Sequence, residues 1–334
     1  MEPPKREHWS VIGQPRAVHF LRTSLQRSSL ASAYLFFGPN AVGKKTVAKD
    51  FLQAVLCLHP HGADPCDRCS SCTAWGRGLH PDAVFLSPRA SGGEISVDDV
   101  RALQKHIQYR PTLSRFRTAC IDGAESLTQA AAHALLKTLE EPPEHTVIIL
   151  STEAQSRLPL TVRSRCQELA FHLVGQQELY RLLLRHTDDA ELAMDISHCA
   201  VGRPGIALRF LADGPEYAAY QERVRHLLSA LSLPIHERLR EFAILLPRGR
   251  SEAREASWPL LDIILWLLRD AALLKERAEP FLVHRFLRSQ LHEFARHHST
   301  EHLLQLFVRL ADLKQKLQGN ANPALGFESF LVNA

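Results

Sequence analysis

Short apolar runs recur along the first half of the chain and alternate with segments whose apolar residues repeat at helical spacing. The runs predicted as buried strands are SAYLFF (32–37), AVFL (83–86), TACID (118–122), TVIILS (146–151) and the weaker QELAF (167–171). Helices are predicted over 44–58, 96–107 and 128–141. Because strands that alternate with helices form parallel sheets covered on both faces, this half is predicted to be an α/β domain.

After about residue 172 the strand signal fades and helical periodicity takes over. Residues 178–211 are predicted to form short helices, and the chain from about 213 onward is predicted to be all-helical. We therefore predict three domains. They are an α/β domain over 1–171, a small domain of short helices over 172–212 and an all-α domain over 213–334.

The composition is that of an ordinary globular protein. Of 334 residues, 45% are hydrophobic and 23% are charged, which is an ordinary balance for a globular protein. The longest apolar stretch, PLLDIILWLL (259–268), is interrupted by Asp262, so no membrane span is predicted. The N-terminal MEPPKREHWS lacks the apolar core of a secretory signal, and a cytoplasmic location is expected. A net charge of +4 does not by itself indicate a nucleic-acid-binding protein.

A glycine-rich segment, FFGPNAVGKKT (36–46), lies between the first strand and the first helix. Its spacing is typical of a phosphate-binding loop, in which glycines let backbone N–H groups surround a phosphate and a lysine adds a cation. The residues assigned to this degenerate nucleotide site are Gly38, Pro39, Asn40, Gly43, Lys44, Lys45, Thr46 and Asp122. The alternative is a glycine turn that binds no ligand.

Two positions depart from a working ATP site. Lys45 stands where a Ser or Thr hydroxyl normally binds Mg²⁺, and Thr46 lies about 100° further round the helix. Asp122 ends a strand, as a second metal-binding acid does, and either holds Mg²⁺ through water or is a turn residue. Gly123 follows it where many ATPases have a glutamate that orients water. The sequence therefore favours ATP and Mg²⁺ bound without hydrolysis.

Four cysteines lie within sixteen residues: Cys57, Cys66, Cys69 and Cys72. Two Cys-x₂-Cys steps fit tetrahedral Zn²⁺, and four thiolates leave no ligand position for water, so the predicted zinc is structural. Unmetallated thiols are the alternative, and His59, His61 and His80 are alternative ligands. An odd total of seven cysteines argues against a disulfide framework.

Together these motifs resemble the bacterial clamp-loader subunits of the AAA+ class. The resemblance rests on VIGQ (11–14), the glycine-rich loop, the four cysteines, IDGAESLT (121–128), AAAHALLKTLEEPP (130–143), VRSRC (162–166), VGRPGIAL (201–208) and NPALGFESFLV (322–332). It implies an AAA+ P-loop domain with a zinc insert at 57–72, a small helical lid and an all-α collar that mediates oligomerisation.

The resemblance also implies partners and a role. It implies a hetero-pentamer with delta and gamma or tau subunits, which loads the β sliding clamp onto primed DNA and involves no membrane. Active subunits of the family have an arginine in the lid where this chain has Gly205. We therefore expect a stator of the DNA polymerase III holoenzyme with weak or absent ATPase activity and no polymerase site.

Arg165 is the residue for which the resemblance implies a catalytic role. It is implied to be an arginine finger that reaches into the ATP site of the neighbouring subunit; the alternative is a structural arginine. Two other functions stay open at this point. One is an active ATPase subunit of the gamma or tau type, and the other is a zinc-bearing DNA-binding module, which no recognition motif supports.

Overall fold

The computed structural model of the chain describes residues 8–88, 93–246, 250–318 and 321–332. Its contacts separate two compact units. The first holds the residues through Leu179 together with Gly202–Gly205, and the second holds Tyr180–Val201 and the residues from Ile206 onward. The segment predicted as a lid, 172–212, contributes to both units, and the division into three domains stays a prediction.

The first unit is built on a sheet of five parallel strands. In chain order these are β1 (Ala33–Phe37), β2 (Ala83–Leu86), β3 (Arg117–Asp122), β4 (Thr146–Thr152) and β5 (Gln167–Ala170). Their spatial order is β2-β3-β4-β1-β5, so β4 lies at the centre. The five predicted strands are confirmed, each to within one residue at either end. Since all strands run the same way, β1, β3 and β4 end at one edge, where ligands of open α/β sheets bind.

Fifteen α-helices lie within the described residues. They are α1 (Pro15–Gln26), α2 (Lys44–Leu56), α3 (Ser70–Gly76), α4 (Val97–Gln108), α5 (Gln129–Glu140), α6 (Leu160–Arg163), α7 (Gln176–Leu183), α8 (Ala190–Cys199), α9 (Pro204–Ala212), α10 (Gly214–Leu231), α11 (Ile235–Leu245), α12 (Arg250–Lys275), α13 (Arg288–Arg296), α14 (Thr300–Gln318) and α15 (Pro323–Leu331). Ser96 and Asp99 form a capping box that starts α4, as their spacing predicts.

Alternate residues of β1 point into two separate cores. Tyr34 and Phe36 are fully buried against Phe51 of α2 and its neighbours. Leu35 faces the opposite side, where it joins Leu103 of α4 and Leu135 of α5. Burial on both faces explains why the strands appear as unbroken apolar runs. Each large side chain removed from water in this way contributes about 1.5–3 kcal/mol.

The second unit is helical throughout its described residues. Its core is formed mainly by leucines of α10, α12 and α14, of which Leu227, Leu261 and Leu310 are fully buried. Helix α12 continues through Pro259, which lies inside it. The part of the chain that the structure describes contains no helix that is both long and apolar enough to cross a bilayer.

Candidate functional site

The glycine-rich loop joins β1 to α2 and adopts a conformation that two of its glycines make possible. Gly38 and Gly43 have φ angles of 142° and 103°. A Cβ atom on Gly38 would lie 2.1 Å from the carbonyl oxygen of Phe171, and one on Gly43 would lie 2.3 Å from Val11 Cγ2. The N–H groups of the first turn of α2 have no partner within that helix, so the loop offers donors to an anion.

Lys44 is buried in the loop, with 8% of its surface exposed. Its ammonium donates hydrogen bonds to the carbonyl oxygens of Gly38 and Pro39, at 2.6 and 2.7 Å. Burial lowers the pKa of Lys44, whereas the carboxylates of Glu153, Glu125 and Asp122 act to raise it. A cation is therefore held at the centre of the loop and faces three acidic groups.

The neighbouring Lys45 forms an ion pair with the acid at the end of β3. Its Nζ lies 3.1 Å from Asp122 Oδ2, and the hydroxyl of Ser151 donates to Asp122 Oδ1 at 2.5 Å. Thr46 and Asn40 are exposed. Mg²⁺ requires oxygen ligands at about 2.0–2.1 Å in octahedral geometry. An ammonium in contact with the required carboxylate offers none, so these residues do not fit a Mg²⁺ site.

Gly123 begins a sharp turn after β3. Its φ of 81° and ψ of 46° are left-handed, and a single 3-10 turn, Ala124–Ser126, follows. The turn directs Glu125 toward Lys44, and the Oε2 atom of Glu125 is buried without a hydrogen-bond partner among the described residues. Sequence reasoning missed Glu125, because only the direction of this turn brings the side chain to the loop.

The start of α9 lies directly on the glycine-rich loop. The N–H of Gly205 donates to the carbonyl of Ala41 at 2.9 Å, and a Cβ atom on Gly205 would lie 3.1 Å from Ala41 Cβ. Burial raises the pKa of Glu153, and the nearby cations Lys44 and Arg203 oppose that rise. The Arg203 Nε is buried and has no hydrogen-bond partner in the described ranges. This cation was also missed in the sequence.

The four cysteines of the insert meet in space. The Sγ atoms of Cys57, Cys66, Cys69 and Cys72 all lie within 4.8 Å of one another. Cys57 directly follows α2, whereas Cys69 caps the start of α3 and accepts a hydrogen bond from the N–H of Cys72. All seven cysteines of the chain are free thiols. This set of four sulfur donors fits tetrahedral Zn²⁺, which would hold the end of α2 to the start of α3.

The electrostatics of the thiols support the same assignment. Burial acts to raise the pKa of Cys69, but hydrogen bonds from the N–H groups of Cys72 and Leu58 and from nearby thiols lower it to about 6. Burial and the adjacent thiols raise the pKa of Cys72. Without a cation the cluster therefore resists holding several thiolates, and a divalent metal would supply the missing charge.

His80 is engaged elsewhere. Its Nε2 lies 2.8 Å from the Ser71 hydroxyl, and its Nδ1 accepts from the N–H of Asp82. Both ring nitrogens have partners that are not metals, so His80 does not substitute for a cysteine. Cys120 and Cys166 lie outside the cluster, and burial raises the pKa of each to about 12, as for inert apolar side chains.

Arg165 lies in the turn between α6 and β5, at the surface of the first unit. Its Nη2 is 2.6 Å from Glu140 Oε1, and its Nη1 donates to the carbonyl of Thr161 at 2.9 Å. About a third of the side chain (34%) is exposed. Exposed ion pairs contribute only about 0–1 kcal/mol, so Glu140 holds the guanidinium in place without preventing its transfer to a stronger anion.

Comparison with protein families gives two matches that together span most of the chain. A family described as "DNA polymerase III, delta subunit" matches residues 13–174. A second, described as "DNA polymerase III, delta subunit, C terminal", matches residues 221–334.

Individual relatives fall in the same group. The chain is 34% identical over 230 residues to DNA polymerase III subunit delta' of Pseudomonas aeruginosa, covering 68% of this chain and 66% of that one. It is 33% identical over 185 residues to DNA polymerase III subunit tau of Bacillus subtilis, covering 55% of this chain and 32% of that protein. The chain thus spans less than two thirds of several relatives.

A solved structure is also similar over nearly the whole chain. It is that of a DNA polymerase III, gamma subunit-related protein from Thermotoga maritima, at 21% identity and a TM-score of 0.45. The alignment covers 95% of this chain and 97% of that protein.

Proposed function

The chain belongs to the clamp-loader subunits of DNA polymerase III, and on that premise we propose that it is a delta-prime subunit, a stator that completes the ATP site of a neighbouring subunit. The observation that carries the proposal is the ion pair between Lys45 and Asp122. It occupies both positions from which a working site would bind Mg²⁺. A subunit that cannot hold the metal contributes to the complex by other means.

The remaining parts of the site also favour a subunit without hydrolysis. Gly123 has no side chain to orient water, and its left-handed backbone disfavours a glutamate there. At Gly205 a larger side chain would crowd the phosphate loop at Ala41. Three positions thus lack the residues of a working site: the hydroxyl that binds the metal, the acid that orients water and the cation of the lid. Three such replacements support a loss of ATPase activity more strongly than one would.

Arg165 is the residue through which we propose that the chain acts in catalysis. It is exposed, and its only ionic partner among the described residues is a glutamate that is about half exposed. A planar guanidinium can donate two parallel hydrogen bonds to a phosphoryl group. Supplied in trans, such a group neutralises charge that develops during ATP hydrolysis in the neighbouring subunit.

The proposed partners are delta and gamma or tau subunits in a hetero-pentamer, with the β sliding clamp and primed DNA reached through the complex in the cytoplasm. An apolar groove of about 490 Å³ between α12 and α14 supports an assembly role for the second unit. Its rim includes Leu304, which is 54% exposed. The cysteine cluster is proposed to hold structural zinc and to take no part in the chemistry.

One observation favours a second candidate function, an active ATPase of the gamma or tau type. The tau relative from Bacillus subtilis matches the chain at nearly the same identity as the delta' relative. Sequence identity does not report ATP turnover, and the Lys45–Asp122 ion pair argues against this second function. The two functions differ in whether the glycine-rich loop of this chain has to support ATP hydrolysis.

A reconstituted complex distinguishes them. Lys44→Ala in this chain removes the loop cation, and a stator with that change leaves the DNA-stimulated ATPase of the complex intact. The same change in a gamma or tau partner is the positive control and abolishes turnover at its site. If Lys44→Ala in this chain lowers turnover as much as the control does, the chain is a motor subunit and the proposal is wrong.

A further inference from the structure

The glycine-rich loop keeps features that suit an anion, although the Lys45–Asp122 ion pair replaces its metal site. Gly38 and Gly43 keep the backbone conformation that aims N–H groups at a phosphate, and Lys44 stays buried beside them. These features do not depend on a metal. The question is what neutralises the remaining charge of a bound polyphosphate.

Lys45 is placed to supply that charge. Its side chain is 56% exposed, so the ammonium is open to a ligand while it contacts Asp122. Both residues line a cavity of about 440 Å³ that also includes Lys49, Trp75 and Phe85. A group of this kind can contact a carboxylate and a phosphate at once, because an ammonium has three donors.

Asp122 fixes the position of this ammonium. One carboxylate oxygen contacts Lys45 and the other accepts from Ser151, so the acid is oriented from two sides. A divalent ion would have to displace the lysine from the carboxylate and would meet its positive charge at close range. The arrangement therefore disfavours Mg²⁺ binding, and it places the Lys45 ammonium in the region where the metal ion would bind.

We propose that the ammonium of Lys45, held by Asp122, replaces the divalent cation, so that the loop binds a metal-free nucleoside diphosphate or triphosphate. This inference rests on the proposed function, since it describes how a stator retains nucleotide that it does not hydrolyse. Lys45 acts as a specificity-determining residue: it selects the free nucleotide over its Mg²⁺ complex.

The test is equilibrium binding of ADP and ATP to the full chain by calorimetry, in EDTA and in excess MgCl₂. The wild-type chain is expected to bind at least as tightly in EDTA as with Mg²⁺. Lys45→Thr removes the ammonium, restores a hydroxyl and frees Asp122. Its affinity in EDTA is expected to fall by about tenfold or more and to recover when Mg²⁺ is added.

Lys49→Thr is the matched control. Lys49 lies one turn further along α2, is exposed and lines the same cavity, so the substitution removes the same charge without touching Asp122. It is expected to keep the wild-type response to metal. Thermal unfolding of each variant establishes that it is folded.

Three results would overturn the inference. These are a wild-type chain that needs Mg²⁺ to bind nucleotide, a wild-type chain that binds none under either condition, and a Lys45→Thr variant indistinguishable from Lys49→Thr. The second and third results leave the proposed stator role intact, whereas the first also counts against the Lys45–Asp122 argument for it. Steady ATP turnover by the isolated chain would instead contradict the stator function itself.

Discussion

At the scale of single residues, backbone conformation limits which side chains the site can carry. Gly123 follows the strand-end acid with φ at 81°, in the left-handed region that costs other residues about 1–2 kcal/mol. A glutamate at this position would therefore be strained. The left-handed turn and the glycine at this position therefore belong together.

Gly123→Ala is predicted to destabilise the chain by about 1–2 kcal/mol, because alanine has to adopt the left-handed conformation. The measurement is urea unfolding at neutral pH. Gly76→Ala is the control: Gly76 ends α3 with open space around it and no positive φ, so alanine is expected to be neutral or slightly stabilising. Equal effects of the two substitutions on the free energy of unfolding would show that a side chain at position 123 does not strain the turn.

Part of the site is predictable residue by residue. The spacing of Gly38, Gly43 and Lys44 predicts the loop, because its chemistry depends on local backbone geometry. The Lys45–Asp122 pair is not predictable in this way, because α2 and β3 are distant in sequence and meet only in the fold. Glu125 and Arg203 were missed for the same reason: a turn and a helix start decide where they lie.

At the scale of elements, a buried carboxylate organises the segment that leads into β3. Asp82 is fully buried and accepts hydrogen bonds from the N–H groups of Thr112, Leu113 and Ser114 at 2.7–2.9 Å. Burial acts to raise the pKa of Asp82, but these bonds and one from the Ser114 hydroxyl outweigh it and lower the pKa. Folding therefore favours the ionised form.

Asp82→Asn is predicted to reduce stability by about 1–3 kcal/mol at neutral pH, since an amide cannot accept all of these bonds. A carboxyl group with a lowered pKa in the folded state stabilises above its unfolded pKa, about 3.9, and loses that contribution as the pH falls further. The difference between wild type and variant should therefore shrink below about pH 4. Urea unfolding across this range measures it, with the exposed Asp98→Asn as the control.

The cysteine insert gives a second prediction at this scale. The chain purified without chelator should contain about one zinc per chain, bound by four thiolates. Cys69→Ser should lose the metal and lower the thermal stability, because the link between α2 and α3 is broken. Cys166→Ser, outside the cluster, should retain both. Metal analysis decides the matter, and a wild-type chain without zinc would refute the site.

The elements themselves follow closely from the sequence. Strands buried on both faces appear as continuous apolar runs, and Ser96 with Asp99 predicts the start of α4 because a capping box is local. The order β2-β3-β4-β1-β5 does not appear in such patterns, because pairing between distant strands depends on how the helices cross the sheet. The clustering of the four thiols was predicted, because the four cysteines lie close together in the sequence.

At the scale of the whole molecule, the first unit combines three sequence departures from a working ATP site, at Lys45, Gly123 and Gly205, with an exposed arginine. Arg165 lies at the surface of this unit in a partly exposed ion pair with Glu140. The central claim is that the chain contributes this arginine to a partner while it hydrolyses nothing itself. Such a claim concerns the assembled complex and has to be tested there.

The most direct measurement is DNA-stimulated ATP turnover by the reconstituted complex, with the phosphate loops of the other ATP sites inactivated so that only the site beside this chain reports. Arg165→Ala is predicted to lower its rate about 10³-fold or more while the complex still assembles. Arg163→Ala is the control. Arg163 lies two positions before Arg165 and is paired with Glu168, and its loss should leave the rate unchanged. An unchanged rate for Arg165→Ala would contradict the account.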